Sequence, residues 1–355
     1  MVLILVSLLI FLSVALVVLA FSNKVSIESF FTGRKASKEL KTTIASSQPE
    51  KCPQDSTHFE CLERYYSALV TLNGVTAAFD DLRMRQEKDE FIRDQCHPLA
   101  HVIGRAAAML YPSVCEAFND GDATCWSGYY HGVMETTAEN IGRDGIEQQL
   151  NDMCAGIPRD GNNWLHYFYC VHGLGHDIMA ILNDELFESL EICDTLRGSW
   201  ERDSCVGGAF MENVIADHSG HKTKYLDAER PLYPCTDVQE RFKEQCYLNQ
   251  SSYMLKILGG DFVQAFDLCG SAGEPYANRC YESLGRDAVS YGKSEPSLIF
   301  ELCDKAITDE QRAHCVIGVV DFLVTYEPKE HAEQFCAIFL GSLQSECTAR
   351  IESHL

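Results

Sequence analysis

The sequence predicts an all-α chain: a helical-hairpin repeat solenoid stapled by disulfides and led by one transmembrane helix. Three observations carry that expectation. Most of the 17 cysteines fall into couples of similar spacing, each followed by an apolar-periodic run. The second cysteines of the couples recur mostly every roughly 30 to 45 residues, the period of two-helix repeats. Residues 2–21 hold no charge and only two serines, a run long enough to cross a bilayer.

The leading segment reads as a signal anchor over 1–22 or as a cleavable signal peptide, since Val18-Leu19-Ala20 resembles a small-residue cleavage site. Its length and the missing basic flank before it favour the anchor. The basic residues that follow, Lys24, Arg34, Lys35, Lys38 and Lys41, would by the positive-inside tendency stay in the cytoplasm. The cysteines weigh the other way. Spaced couples without a zinc-type CxxC read as disulfides, which persist outside the reducing cytosol. The body is therefore expected on the exported side, periplasmic or extracellular, and secreted if the segment is cleaved. With 29 Lys plus Arg against 52 Asp plus Glu, the 355-residue chain has a formal charge of −23. Nucleic acid is excluded as a partner, because phosphate binding needs a basic surface. The expected partners are the membrane, through the N-terminal helix, and a protein or cell-envelope component.

Residues 23–50 read as a polar tether. Residues 51–190 read as helical repeats that carry a histidine cluster, and 191–355 as cysteine-stapled helical repeats. The couples are Cys52/Cys61, Cys115/Cys125, Cys154/Cys170, Cys193/Cys205, Cys235/Cys246, Cys269/Cys280, Cys303/Cys315 and Cys336/Cys347. Cys96 is left over. It is expected as a free structural thiol, with pairing to an N-terminal cysteine or across a dimer as the alternative. In the run from Cys280, Tyr281, Leu284 and Ala288 follow helical spacing. Thr308 and Gln311 have the capping-box spacing ahead of Cys315. Residues 298–303 and 332–339 suit the companion helix of a pair. The first cysteine is thus expected near the end of one helix and the second in the first turns of the next. A small residue often stands three positions after the second cysteine: Gly128, Gly173, Gly208, Ser283 and Gly318. Glycine inside a helix costs roughly 1 kcal/mol, so its recurrence predicts close helix–helix approach. Asn249-Gln250-Ser251 matches a glycosylation sequon.

Runs such as Cys280-Tyr281-Glu282-Ser283-Leu284-Gly285 resemble the cysteine-rich, tetratricopeptide-like helical repeat proteins, in which disulfides staple helix pairs. The resemblance covers roughly residues 190 to 350. It implies a fold and no activity, and the histidine segments lie outside its pattern.

Those segments carry the best clue to function. His97 and His101, His131 and Glu135, and His172 and His176 are pairs four residues apart, so each pair shares a helix face. Set in register on Cys96, Cys125, Cys170 and Cys205, the residues His101, His131, His176 and Glu212 fall five to seven positions on. Equivalent positions of stacked repeats face the same way, which predicts one row, with His97, His172 and Glu135 a turn up or down. His97, His101, His131, His172 and His176 are the expected metal ligands. Glu135 and Glu212 are the expected ligand or general base. The donors suit zinc or iron, then copper or manganese, and so large a set would also serve two ions.

Rival readings stand beside this one. A histidine near a helix glycine is ordinarily a hydrogen-bonded core residue. Against that, the repeats after Cys246, Cys280 and Cys315 carry Tyr253, Asp287 and Asp321 in the stripe, so the scaffold does not itself demand histidine. Non-covalent bis-histidine haem competes for the same side chains, whereas covalent haem would need CxxCH. GxSxG, Gly-rich phosphate loops and HExxH are missing. Asp217-His218-Ser219-Gly220-His221, in the longest link, reads as a loop or as a lid that adds a ligand. Trp126, Tyr129, Tyr130, Tyr167 and Tyr169 read as pocket wall or as core. The expected function is that of a membrane-anchored, exported metalloprotein, a metal-dependent hydrolytic or oxidative enzyme. The alternative is a non-enzymatic, disulfide-rich repeat module that binds its partner on a concave face.

Overall fold

A computed structural model describes residues 41, 48–55, 57–125, 127–160, 163–216 and 223–353. The apolar segment 1–22, most of the 23–50 tether, Trp126 and the 217–222 link with His218 and His221 lie outside the described residues. Among those described, no helix is long and apolar enough to cross a membrane.

The described residues form helices and no strand. After the opening hairpin of His58–Asn73 and Val75–Gln86, the long helices are Cys96–Ala108, Gly128–Met153, Asn163–Ile181, Ser199–Ala216, Lys243–Ile257, Tyr276–Tyr291, Asp309–Tyr326 and Ser342–Ser353. Each packs mainly on the one before and the one after. Gly142, at φ 64°, interrupts the second of these helices, in a backbone region that favours glycine. Shorter helices such as Leu186–Cys193, Phe262–Gly270, Pro296–Cys303 and Lys329–Cys336 return the chain between long ones, so that neighbouring long helices run in the same direction. In the first pair, Cys96 meets Cys125 near one end and Arg105 meets Glu135 towards the other. One continuous apolar core runs through the array. The expected capping box is present, with Thr308 and Gln311 bonded reciprocally.

Seven expected cysteine couples form, with Cα–Cα distances from 5.3 to 5.9 Å, inside the range a disulfide spans without strain. In the stapled hairpins the first cysteine sits at or next to the end of the short helix, as with Cys193, Cys269, Cys303 and Cys336. The Cys115/Cys125 couple is corrected. Cys115 lies at the start of its short helix, Val114–Asn119, and is the free thiol. Cys125 pairs instead with Cys96 (Cα–Cα 5.5 Å), which opens the neighbouring long helix. The seven sequential bonds close short loops and contribute at most about 3 kcal/mol each, while Cys96–Cys125, 29 residues apart, contributes somewhat more, about 3.6 kcal/mol.

The recurring small residues mark backbone-to-backbone contact. A Cβ on Gly208 would stand 2.0 Å from the carbonyl oxygen of His172, and one on Gly318 1.8 Å from that of Glu282. The contacts are reciprocal. Gly175 faces the Cys205 carbonyl at 2.1 Å, and Gly285 faces that of Cys315 at 1.9 Å. Gly104 and Gly132 form the same couple between the first two long helices, against the carbonyls of Tyr129 (2.0 Å) and His101 (2.1 Å). Gly173 is different, with only the Met134 side chain nearby, at 3.2 Å.

The array is more closed than an open solenoid. It curls until Tyr326 stacks on Tyr169, ring centroids 6.4 Å apart. The long helices from Asn163–Ile181 to Asp309–Tyr326 surround a cavity of about 390 Å³. The sequon reading is also corrected. Asn249 lies inside a helix, is 5% exposed, and its side chain bonds to the Gln245 carbonyl and to Arg286. Tyr129, Tyr130, Tyr167 and Tyr169 are buried core residues.

Non-reducing peptide mapping of the natively folded protein should recover a Cys96–Cys125 cross-link and an alkylatable Cys115. A Cys115–Cys125 peptide would contradict the packing described here. Gly132→Ala and Gly208→Ala should each lower stability by about 1–3 kcal/mol, the usual cost of overpacking, read as a fall in melting temperature. Gly173→Ala should cost less, because a flexible methionine can give way.

Candidate metal centre

Glycine contacts join Cys96–Ala108 to Gly128–Met153, Asn163–Ile181 packs on the second of these, and five histidines meet on the three helices. The imidazole centroids of His97 and His101 are 4.6 Å apart, and His131 lies 5.6 and 5.4 Å from them, edge-on to both. His131 stacks on His176 at 4.8 Å, and His176 stands 5.1 Å from His172. The expected row of His101, His131, His176 and Glu212 is thus present as a run of direct neighbours. His97 joins it more closely than a turn away. One donor atom from each of His97, His101 and His131 lies within 4.8 Å of the others.

Second partners fix the rings. His97 Nδ1 is 2.8 Å from the Cys125 carbonyl oxygen, and His172 Nδ1 is 3.2 Å from that of Ser204. His101 Nδ1 is 2.6 Å from Glu135, and His176 Nδ1 is 2.6 Å from Glu212. Carbonyl and carboxylate oxygens only accept, so all four rings carry their proton on Nδ1, and in the neutral ring Nε2 keeps its lone pair. The Nε2 atoms of His97 and His101 face each other at 3.0 Å. Two lone pairs at that distance repel unless a positive charge lies between them. Among the described residues, the Nε2 atoms of His172 and His176 are buried without a hydrogen-bond partner.

His58 supplies the comparison. Its Nδ1 also meets a carbonyl, that of Pro53, and its Nε2 is also buried and unpartnered. It packs edge-on against Phe91, with no other imidazole among the described residues in ring contact, as an ordinary core histidine does. Convergence separates the other five from it.

Charge follows burial. Burial, and then the neighbouring His101, pull His97 down to about 4, despite the opposing bond to Cys125. Burial and His176 take His172 down to about 3. Burial, then His176 and the other three imidazoles, hold His131 well below the ordinary value. For Glu135, burial raises the pKa, but the bond from His101 and the charges of His101 and Arg105 outweigh it and keep it low. Glu212 behaves alike, with His176 outweighing burial. Arg105 bridges Glu135 and Glu63, at 3.1 Å from each.

Sequence reasoning missed Asp177. It is 2% exposed, and its Oδ2 has no hydrogen-bond partner among the described residues. Burial, and then Glu135, Glu212 and Glu139, push its acid well up. The available signal was its being the single acid in the helix Asn163–Ile181. The carbonyls of Cys125 and Ser204 are partners no side-chain pattern reveals. The stripe positions without histidine are used otherwise. Asp287 bonds Ser251, Ser252 and Arg286, and Asp321 is held by Arg350 through two bonds.

Set against protein-family models, curated proteins and solved structures, the chain matches none.

Nitrogen-detected NMR of the metal-free protein should find His97, His101, His172 and His176 as Nδ1–H tautomers, the opposite of the preference of free imidazole side chains. Nε2–H signals for His97 and His172 would remove the basis for their lone pairs.

Proposed function

We propose that this chain is an exported metal-dependent enzyme, hydrolytic or oxidative, anchored by segment 1–22, whose ion is held by His97, His101 and His131. The observation that carries the reading is the pair of Nε2 atoms 3.0 Å apart, with both Nδ1 protons committed elsewhere. Two nitrogens bound at 2.0–2.1 Å to a tetrahedral ion stand roughly 3.3 Å apart. An ion fits between them with little movement, and His131 offers a third donor. Zinc or iron suits such imidazole sites, with copper or manganese next. Three rings this close leave no gap for a haem plane, which favours an ion over haem. When bound, the ion would supply Lewis acidity.

The chain's own residues supply position and charge. Glu135 orients His101 and raises its basicity, as carboxylates behind metal-binding histidines do. Both its oxygens are engaged, one by His101 and one by Arg105, so its part here is positioning rather than that of general base. Glu212 orients His176 in the same way. The cavity beside His172, walled by Phe168, Trp200, Phe322 and Tyr326, has the size of a small-molecule pocket. That volume, about 390 Å³, favours a small substrate over a protein partner. The disulfides support an oxidising, exported setting.

The test is elemental analysis of the full-length chain purified in detergent. His97→Ala, His101→Ala and His131→Ala should each lose most of the bound ion while keeping the helical spectrum. Glu135→Ala should weaken affinity about 10–100-fold, with Glu135→Gln milder because its amide oxygen still accepts from Nδ1. His331→Ala, an exposed residue paired with Glu327, should leave metal content unaltered. Unchanged metal in the three histidine variants overturns the proposal.

A further inference from the structure

The three-donor set leaves His172 and His176 over. Both are more than nine-tenths buried, at 7% and 8% exposure. Each donates its Nδ1 proton to an acceptor on the helix Ser199–Ala216, and each presents a buried Nε2 that has no partner among the described residues. We infer that His172 and His176 hold a second divalent cation, making the centre dinuclear, with His131 between the two ions. The inference rests on the preceding reading that His97, His101 and His131 bind the first.

The two histidine pairs are built alike. In each, two histidines lie four apart on one helix. One donates to a backbone carbonyl, that of Cys125 just ahead of the next long helix in the first pair and that of Ser204 within it in the second, and the other to a glutamate of that helix, Glu135 or Glu212. The rings meet at 4.6 Å and 69° in the first pair, and at 5.1 Å and 64° in the second. A pair with the same donors, the same tautomers and the same carboxylate behind it is suited to the same ligand. A buried nitrogen left without a partner costs free energy, and an ion at this pair removes that cost for both rings at once. Two glutamates, one behind each pair, offset the added charge. His131 is stacked on His176 on one side and edge-on to His97 and His101 on the other, so its ring stands between the two pairs. His172 also lines the cavity, so the second ion is the one nearer to whatever enters it. Two protein nitrogens leave that ion open positions, as catalytic rather than structural ions require.

The experiment counts ions. Full-length protein in detergent is stripped with a chelator, titrated with Co(II), and assayed for bound cobalt after gel filtration. The wild type should hold two ions per chain. The double variant His172→Ala/His176→Ala should hold one, as should His97→Ala/His101→Ala. His176→Gln, whose amide can still donate to Glu212, repeats the loss should the double variant fail to fold. A wild type with a single ion that is indifferent to His172 and His176 overturns the inference and leaves the first site standing. One ion abolished by either double variant overturns it in favour of a single shared site. A wild type that binds no cobalt fails both readings together.

Discussion

The contact of glycine on a neighbouring carbonyl is the constraint from which the rest of the site follows. Helices that touch through side chains sit 8–10 Å apart. Here Gly104 with Gly132, and Gly175 with Gly208, remove the side chains at the crossing, so backbone rests on backbone. Short polar side chains flanking the crossing then reach across. His101 meets Glu135 and His176 meets Glu212, both at 2.6 Å. The third such crossing, Gly285 with Gly318, puts His314 2.9 Å from Glu282. The same frame therefore makes a cross-helix hydrogen bond wherever a histidine faces a glutamate, and further imidazoles converge only at the first two of these crossings. Disulfides join the ends of most long helices to what precedes them, which limits sliding along the contact.

Electrostatics explains why five imidazoles can share so small a space. Were they charged, their mutual repulsion in a low-dielectric setting would be severe. Burial keeps His97, His131 and His172 neutral, while Glu135 and Glu212 remain ionised behind the rings because they accept the Nδ1 protons. The outcome is a ring of lone pairs backed by negative charge inside a protein of net charge −23. Such a field draws cations and repels anions.

Much of the fold was legible because its signals are local. The couples closed by a short helix, the capping box at Thr308 and the helical spacing after Cys280 each depend on a few neighbouring residues. The row of His101, His131, His176 and Glu212 was legible because stacked repeats turn equal offsets into a shared face. What stayed hidden depends on distance along the chain or on the backbone. Cys115 misled because its spacing from Cys125 matches the other couples while its helix begins, rather than ends, at the cysteine. The meeting of Tyr169 with Tyr326 accumulates over the array, and no single repeat contains it. Asn249 carries the sequon, yet the side of its helix that it occupies is decided by packing on Arg286. Asp177 stands a quarter-turn from the histidine face, so a search by ligand spacing passes over it.

The division of labour between the two halves has a physical basis. In the second half, the carboxylates facing the inner helices are neutralised in place: Asp287 by Arg286, Asp321 by Arg350, Glu282 by Arg279 and His314. Arg286 itself is fully engaged, donating to the Leu248 carbonyl, Asn249, Ser252, Ser283 and Asp287. It therefore braces the cavity and has no donor left for a ligand. The first half ends differently, with buried nitrogens on His172 and His176 that nothing in the described chain satisfies. Among the described residues, the polar groups that line the far side of the cavity are paired, and the unsatisfied nitrogens near it are those of His172 and His176. The disulfides and the continuous core supply the stability that tolerates such groups, because buried polar atoms without partners are costly anywhere else.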